Sequence, residues 1–138
     1  LAHKSAFDVN TAFAAMRGQQ RLNPGAASEQ EFLPRLIIFH GSADQTVSPA
    51  NAAELWKGGV RSRGPGEVLE LRVSAGGRTV DRRVFSAPSD VASVEEWIIH
   101  GSVHCWSGGN PQGSFTDESG PNASAEMVRF FLERRAVR

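Results

Sequence analysis

The chain has 138 residues, 40% of them apolar and 22% charged, which bounds it to one globular domain. Lys plus Arg and Asp plus Glu number 15 each, so the net charge is zero and nothing electrostatic points to nucleic acid or an anionic membrane. No apolar run approaches the roughly 20 residues of a transmembrane helix, and the lone Cys105 excludes an internal disulfide framework.

The chain opens on Leu1 and a polar stretch, with no basic-then-apolar leader, and reads as starting inside a longer gene product. A first helix is expected over residues 8–17. Asp8 caps it, Val9, Ala12, Phe13 and Met16 share one face, and Gly18 stops it. Residues 19–30 are polar, contain Pro24 and Gly25, and read as a loop. Residues 35–40 form a short, continuously apolar strand, the kind a parallel sheet covered by helices requires. Ser48 and Pro49 open a second helix that turns Ala52, Leu55 and Trp56 inward and ends at Gly58-Gly59.

Residues 64–70 carry a weak signal, and Gly76-Gly77 marks a turn. Residues 78–86 and 94–99 read as two extended segments, paired or neighbouring across a loop at 87–90. Residues 101–120 read as one long loop, a length that inside a compact domain usually signals function or disorder. A last helix begins near Asn122, which suits a cap better than a glycosylation site. It runs to about Arg134 with Met127, Phe130 and Phe131 as its apolar stripe. Alternating strands and helices define an α/β layer, and about three strands is few for that class. The expectation is a sheet cut from a larger one, with exposed strand edges.

Two strand-end segments carry the chemistry. In Phe39-His40-Gly41-Ser42-Ala43-Asp44-Gln45-Thr46-Val47, an acid follows a buried strand, where ligand sites of open α/β sheets lie. Such a carboxylate can orient an imidazole; taken by itself, an aspartate here more often only caps a turn or the following helix. In the second segment, His100 and His104 follow the next apolar strand, and His104, on a glycine-flanked loop, is the better-placed general base. An Asp on one such loop and a His on the next match the chain order Ser, Asp, His of α/β-hydrolases.

Three motifs in combination sharpen this. They are His-Gly-x-x-Asp-x-x-Val from His40, Gly-x-x-His-x-Trp-Ser-Gly-Gly from Gly101, and Thr-Asp-x-x-Gly-Pro-x-Ala-Ser from Thr116. Together they resemble polyhydroxybutyrate depolymerase-type esterases, a group that includes feruloyl and acetylxylan esterases. The likeness covers the C-terminal half or so of that family's catalytic domain. It implies an α/β-hydrolase fold, Asp44 as triad acid, His104 as triad base, and serine-type hydrolysis of carboxylic esters without a cofactor. The substrates implied are polyesters or acylated polysaccharide fragments, and the implied location is extracellular or in the cell envelope. Trp106 either lines an acyl or sugar pocket or packs to shield the histidine.

The departure is the nucleophile, because no Gly-x-Ser-x-Gly occurs in these residues. In the nearest string, Val73-Ser74-Ala75-Gly76-Gly77, Arg72 replaces the first glycine, Ser74 follows Asp44 in order, and a strand pattern follows instead of a helix. The 138 residues by themselves are therefore expected to be inactive, since His104 has no serine to activate. A zinc site on His40, His100, His104 and Cys105 would need a helix that Gly101 and Ser102 disfavour, so no metal is expected. Cys105 reads as a partly buried free thiol. The competing reading is a non-catalytic domain that binds a companion chain, or a second copy, through its open sheet edge.

Overall fold

The computed structural model describes residues 8–18, 33–88 and 92–132. Three helices and a mixed four-stranded sheet make up an α/β architecture. In chain order these are α1 (Val9–Met16), β1 (Leu36–Gly41), α2 (Ala50–Arg61), β2 (Glu67–Ala75), β3 (Arg78–Ser86), β4 (Ala92–Ile99), the short β5 (Trp106–Ser107) and β6 (Thr116–Asp117), and α3 (Ala123–Leu132). The sheet order is β1-β4-β3-β2. β1 and β4 run parallel, while β4–β3 and β3–β2 are antiparallel. The sheet thus has one strand more than the sequence suggested. The addition is β2, an edge strand exposed along most of its length, with only Val73 and Ala75 half-buried. Residues 19–32 and the tail beyond Leu132, read as loop and as helix end, lie outside the described residues.

Alternation along the strands sorts the core onto two faces. On one face Ile38, Phe85 and Val94 pack with Ala52 and Trp56 of α2. On the other, Val80, Trp97 and Ile99 form one cluster, and Val84 packs on Phe130 of α3. Val80, Val84, Phe85, Val94 and Phe130 are essentially fully buried. Each such side chain contributes about 1.5–3 kcal/mol of burial.

β4 carries two charges into this core. Glu95 is 0% exposed, and its Oε1 accepts from Arg82 Nε at 2.9 Å, from Trp97 Nε1 at 2.6 Å and from Arg129 of α3. Glu96 faces the α2 side and accepts from Arg83 Nε at 2.7 Å. Removing one partner of such a pair strands a buried charge, which costs several kcal/mol.

α1 begins on a capping box: Asp8 accepts from the Thr11 amide at 2.8 Å, and Thr11 Oγ1 accepts from the Asp8 amide at 3.0 Å. Its apolar stripe is only partly used, since Ala15 is buried while Val9 and Phe13 stay exposed. α3 behaves likewise. Phe130 points inward, Phe131 outward, and Asn122 Oδ1 caps the helix by accepting from the Ala125 amide at 3.0 Å.

The second helix does not stop at Gly58-Gly59 but continues to Arg61. A Cβ on Gly59 would lie 3.1 Å from Leu36 Cδ2 and 3.3 Å from Val94 Cγ2, so this glycine lets the helix settle on β1 and β4. Leu55 is correspondingly pushed toward solvent. Gly58 has open space where its Cβ would be. Gly58→Ala is therefore expected to raise stability by about 1 kcal/mol through helix propensity. Gly59→Ala should gain nothing. Chemical denaturation of both variants checks this, and a loss at Gly58 would show that the helix placement is wrong.

Candidate active site

Parallel pairing brings the carboxyl ends of β1 and β4 side by side, with Gly41 opposite Ile99. The loops that follow are stitched together. Ser42 N donates to Ile99 O at 2.9 Å, Ala43 N to Ser102 O at 3.0 Å, and Gly101 N to Ser42 Oγ at 2.9 Å. The approach is so close that a Cβ on Gly41 would sit 2.3 Å from the Ser102 carbonyl oxygen. That is the physical need for glycine after His40. A tight turn, Asp44 N to Gly41 O at 3.1 Å, then aims Asp44 across the gap.

Asp44 meets His104 there, with Oδ2 2.8 Å from Nδ1. Its other oxygen accepts from the amides of Thr46 and Val47, both at 2.9 Å. Burial pushes the Asp44 carboxyl up. The Val47 amide, His104 and the Thr46 amide outweigh that and hold it below the ordinary carboxylate range. An ionised carboxylate can only accept, so Nδ1 of His104 carries a proton, and in the neutral imidazole the lone pair is on Nε2. The Asp44 side chain is 6% exposed and that of His104 53%. A buried anchor therefore holds an accessible base, the arrangement general-base chemistry requires. His40 braces the turn: its Nε2 lies 3.0 Å from Val47 O, so it donates to that carbonyl.

A cavity of about 190 Å³ opens against this pair, walled by Phe39, Val47, Ile99 and Val103 with Asp44 and His104. Complete small-molecule pockets run from roughly 300 Å³ upward, so this cavity is smaller than a complete ligand pocket. Trp106 is not among the residues lining the cavity, and it is about half exposed on the adjacent β5.

The other candidates separate. His100 turns to Asp81, 2.8 Å away, on the sheet face opposite α3. The Cys105 thiol is directed at Ser102 Oγ and the Val103 carbonyl, both at 3.4 Å. Among the described residues no group of three or more His, Cys, Asp or Glu could hold a metal ion. Ser74 lies on the extended edge strand β2, paired with Thr79, and a two-residue hairpin turn follows it instead of a helix. It is two strand spacings from β4, about 10 Å. No described helix is long and apolar enough to cross a membrane.

The residues read from sequence, Asp44 and His104, are thus brought together. The supports around them were missed: His40, Ser102, Asp117 and Arg78. Two of them, His40 and Asp117, are fixed positions of the motifs that begin at His40 and Thr116, without a role assigned there. No family model matches the chain, and a search of curated proteins finds none similar to it.

Proposed function

We propose that this chain supplies the acid and base of a serine-type carboxylic ester hydrolase built on an α/β-hydrolase fold. The observation that carries the proposal is the 2.8 Å bond from His104 Nδ1 to a buried, ionised Asp44, on loops that follow two adjacent parallel strands. His104 Nε2 takes the proton of a serine hydroxyl as that oxygen attacks the ester carbonyl. Asp44 holds the ring and stabilises the imidazolium. The acyl-enzyme is then released by water activated in the same way.

The serine comes from outside these residues. Among the described residues no strand pairs with the outer edge of β1, and this strand is apolar toward both faces. A further parallel strand added there would bring its own carboxyl end beside Asp44, the position an elbow serine needs. The substrates proposed are polyesters or acylated polysaccharide fragments, and the protein acts outside the cell or in its envelope. These two statements rest on the resemblance of the motifs around His40, Gly101 and Thr116. No cofactor takes part in this chemistry.

The outer edge of β1, to which no strand pairs among the described residues, and the exposed Phe13, Val128, Phe131 and Leu132 also favour a second reading. In it the domain is non-catalytic and binds a companion chain or a second copy through that edge. Hydrolysis of p-nitrophenyl acetate separates the two. The native protein is expected to turn over and the isolated 138-residue chain is not. A native protein whose mass shows no additional chain, and which hydrolyses nothing, would leave the binding reading in place.

A further inference from the structure

His104 sits on a loop that needs support from both sides, because Gly101, Gly108 and Gly109 all adopt left-handed backbone angles around it. The support on both sides comes from one segment, residues 115–117. On the amino side, Ser102 is 2% exposed, and its Oγ donates to Asp117 Oδ2 at 3.0 Å. On the carboxyl side, Trp106 N donates to Phe115 O at 2.7 Å, and Trp106 and Ser107 pair with Thr116 and Asp117. Gly108 N closes the bracket by donating to Asp117 O at 2.8 Å.

Asp117 is itself held ionised. Burial raises its carboxyl, but the Arg78 guanidinium and the Ser102 hydroxyl outweigh it and bring it below the usual range. Arg78 Nε binds the same oxygen that takes the Ser102 hydroxyl, while Oδ1 accepts from Ser119 N at 3.1 Å. Phe115 shows that the segment is held against local preference. It has φ of 57° and is 79% exposed, a conformation an aromatic residue avoids unless its surroundings impose it.

We infer that Asp117 is a positioning residue for His104: through Ser102 and the β5–β6 pair it fixes the loop that carries the imidazole onto Asp44. Ser102 is where the two supports meet. Its hydroxyl answers to Asp117, and its carbonyl accepts the Ala43 amide within the Asp44 turn. The inference rests on the proposed role of the Asp44–His104 pair, but its test does not depend on ester hydrolysis.

The test reads the hydrogen-bonded Nδ1 proton of His104 by NMR in the native protein, with the resonance assigned by its loss in His104→Gln. Ser102→Ala removes the link without changing any charge. Asp117→Ala removes both the link and the charge. Each is expected to speed exchange of the Nδ1 proton with solvent by about tenfold or more, as the loss of one charge-assisted bond allows. Asp117→Asn, which still accepts from Ser102, should recover part of the protection. If either buried-site variant fails to fold, Arg78→Gln, at a half-buried position, gives the same readout with a smaller increase. A lowered melting temperature with Nδ1 exchange unchanged would mean that Asp117 holds only the loop's fold, and would overturn the inference. Ester turnover by the parent protein is scored separately, so its absence leaves this result standing on its own.

Discussion

Asp44→Asn is expected to lower kcat for ester hydrolysis by the native protein by about 10⁴-fold, with KM changing little. The amide is nearly the same size as the carboxylate, and its oxygen can still accept from the Thr46 and Val47 amides. Its NH₂ group then faces His104 Nδ1, where Oδ2 stood at 2.8 Å. Two donors cannot share that contact, so the ring must place its proton on Nε2 and present an N–H to the serine. The base is lost through the wrong tautomer while the binding surface survives, which is why the loss falls on kcat. His104→Ala should cost at least as much, and the double variant little more than the worse single one, because the two groups act as a unit. Steady-state kinetics on the three variants decides the matter. A loss under tenfold at Asp44 would remove it from the proposed triad.

Gly41→Ala is expected to destabilise the protein by about 3 kcal/mol or more, at the upper end of overpacking effects. A Cβ there would lie 2.3 Å from the Ser102 oxygen, 2.7 Å from its carbon and 2.8 Å from the Val103 oxygen. All three are backbone atoms, so no side-chain rotation relieves the contact. The 100–104 loop would have to withdraw from the carboxyl end of β1. That would break the bond from Ala43 to Ser102 and carry His104 away from Asp44. Thermal denaturation measures the first effect, and loss of the protected His104 Nδ1 proton the second. If Gly41→Ala melts with the parent protein, the close passage of the two loops is wrong, and so is the geometry of the site.

How much of this could be read beforehand follows from the range of the forces involved. Local signals act within one turn or strand. Asp8 and Asn122 cap α1 and α3 through bonds that span three residues, and both were legible. The run at 35–40 is apolar on both faces and became β1, with Ile38 packed on the α2 side and Ile37 on the α3 side. Gly76-Gly77 became the β2–β3 turn. Asp44 and His104 were legible because each lies just past such a strand, where a residue of its type has chemical use. Their motifs added the expected pairing.

Long-range contacts were not legible. Gly58-Gly59 has the composition of a helix stop, but burial of Trp56 and the fit of Gly59 against Leu36 and Val94 carried α2 onward to Arg61. Glu95-Glu96 lies within the extended segment expected at 94–99, and nothing near it in the sequence names its partners. Register decides the pairing, because it sets Arg83 of β3 opposite Glu96 and Arg82 opposite Trp97, diagonal to Glu95, which Arg129 of α3 also reaches. Asp117 stands in a motif without a role until Arg78, 39 residues away, reaches it across the sheet end.

The sequence by itself determined most of the elements, the caps of α1 and α3 and the two candidate residues Asp44 and His104, because those depend on neighbours within a few positions. The cap expected at Ser48 was not among them, since α2 starts from Pro49 without a side-chain cap. Which faces were buried, which charges paired and what holds His104 against Asp44 were decided only by the tertiary structure. There, strand register and loop crossing bring together groups that the chain keeps up to 60 residues apart.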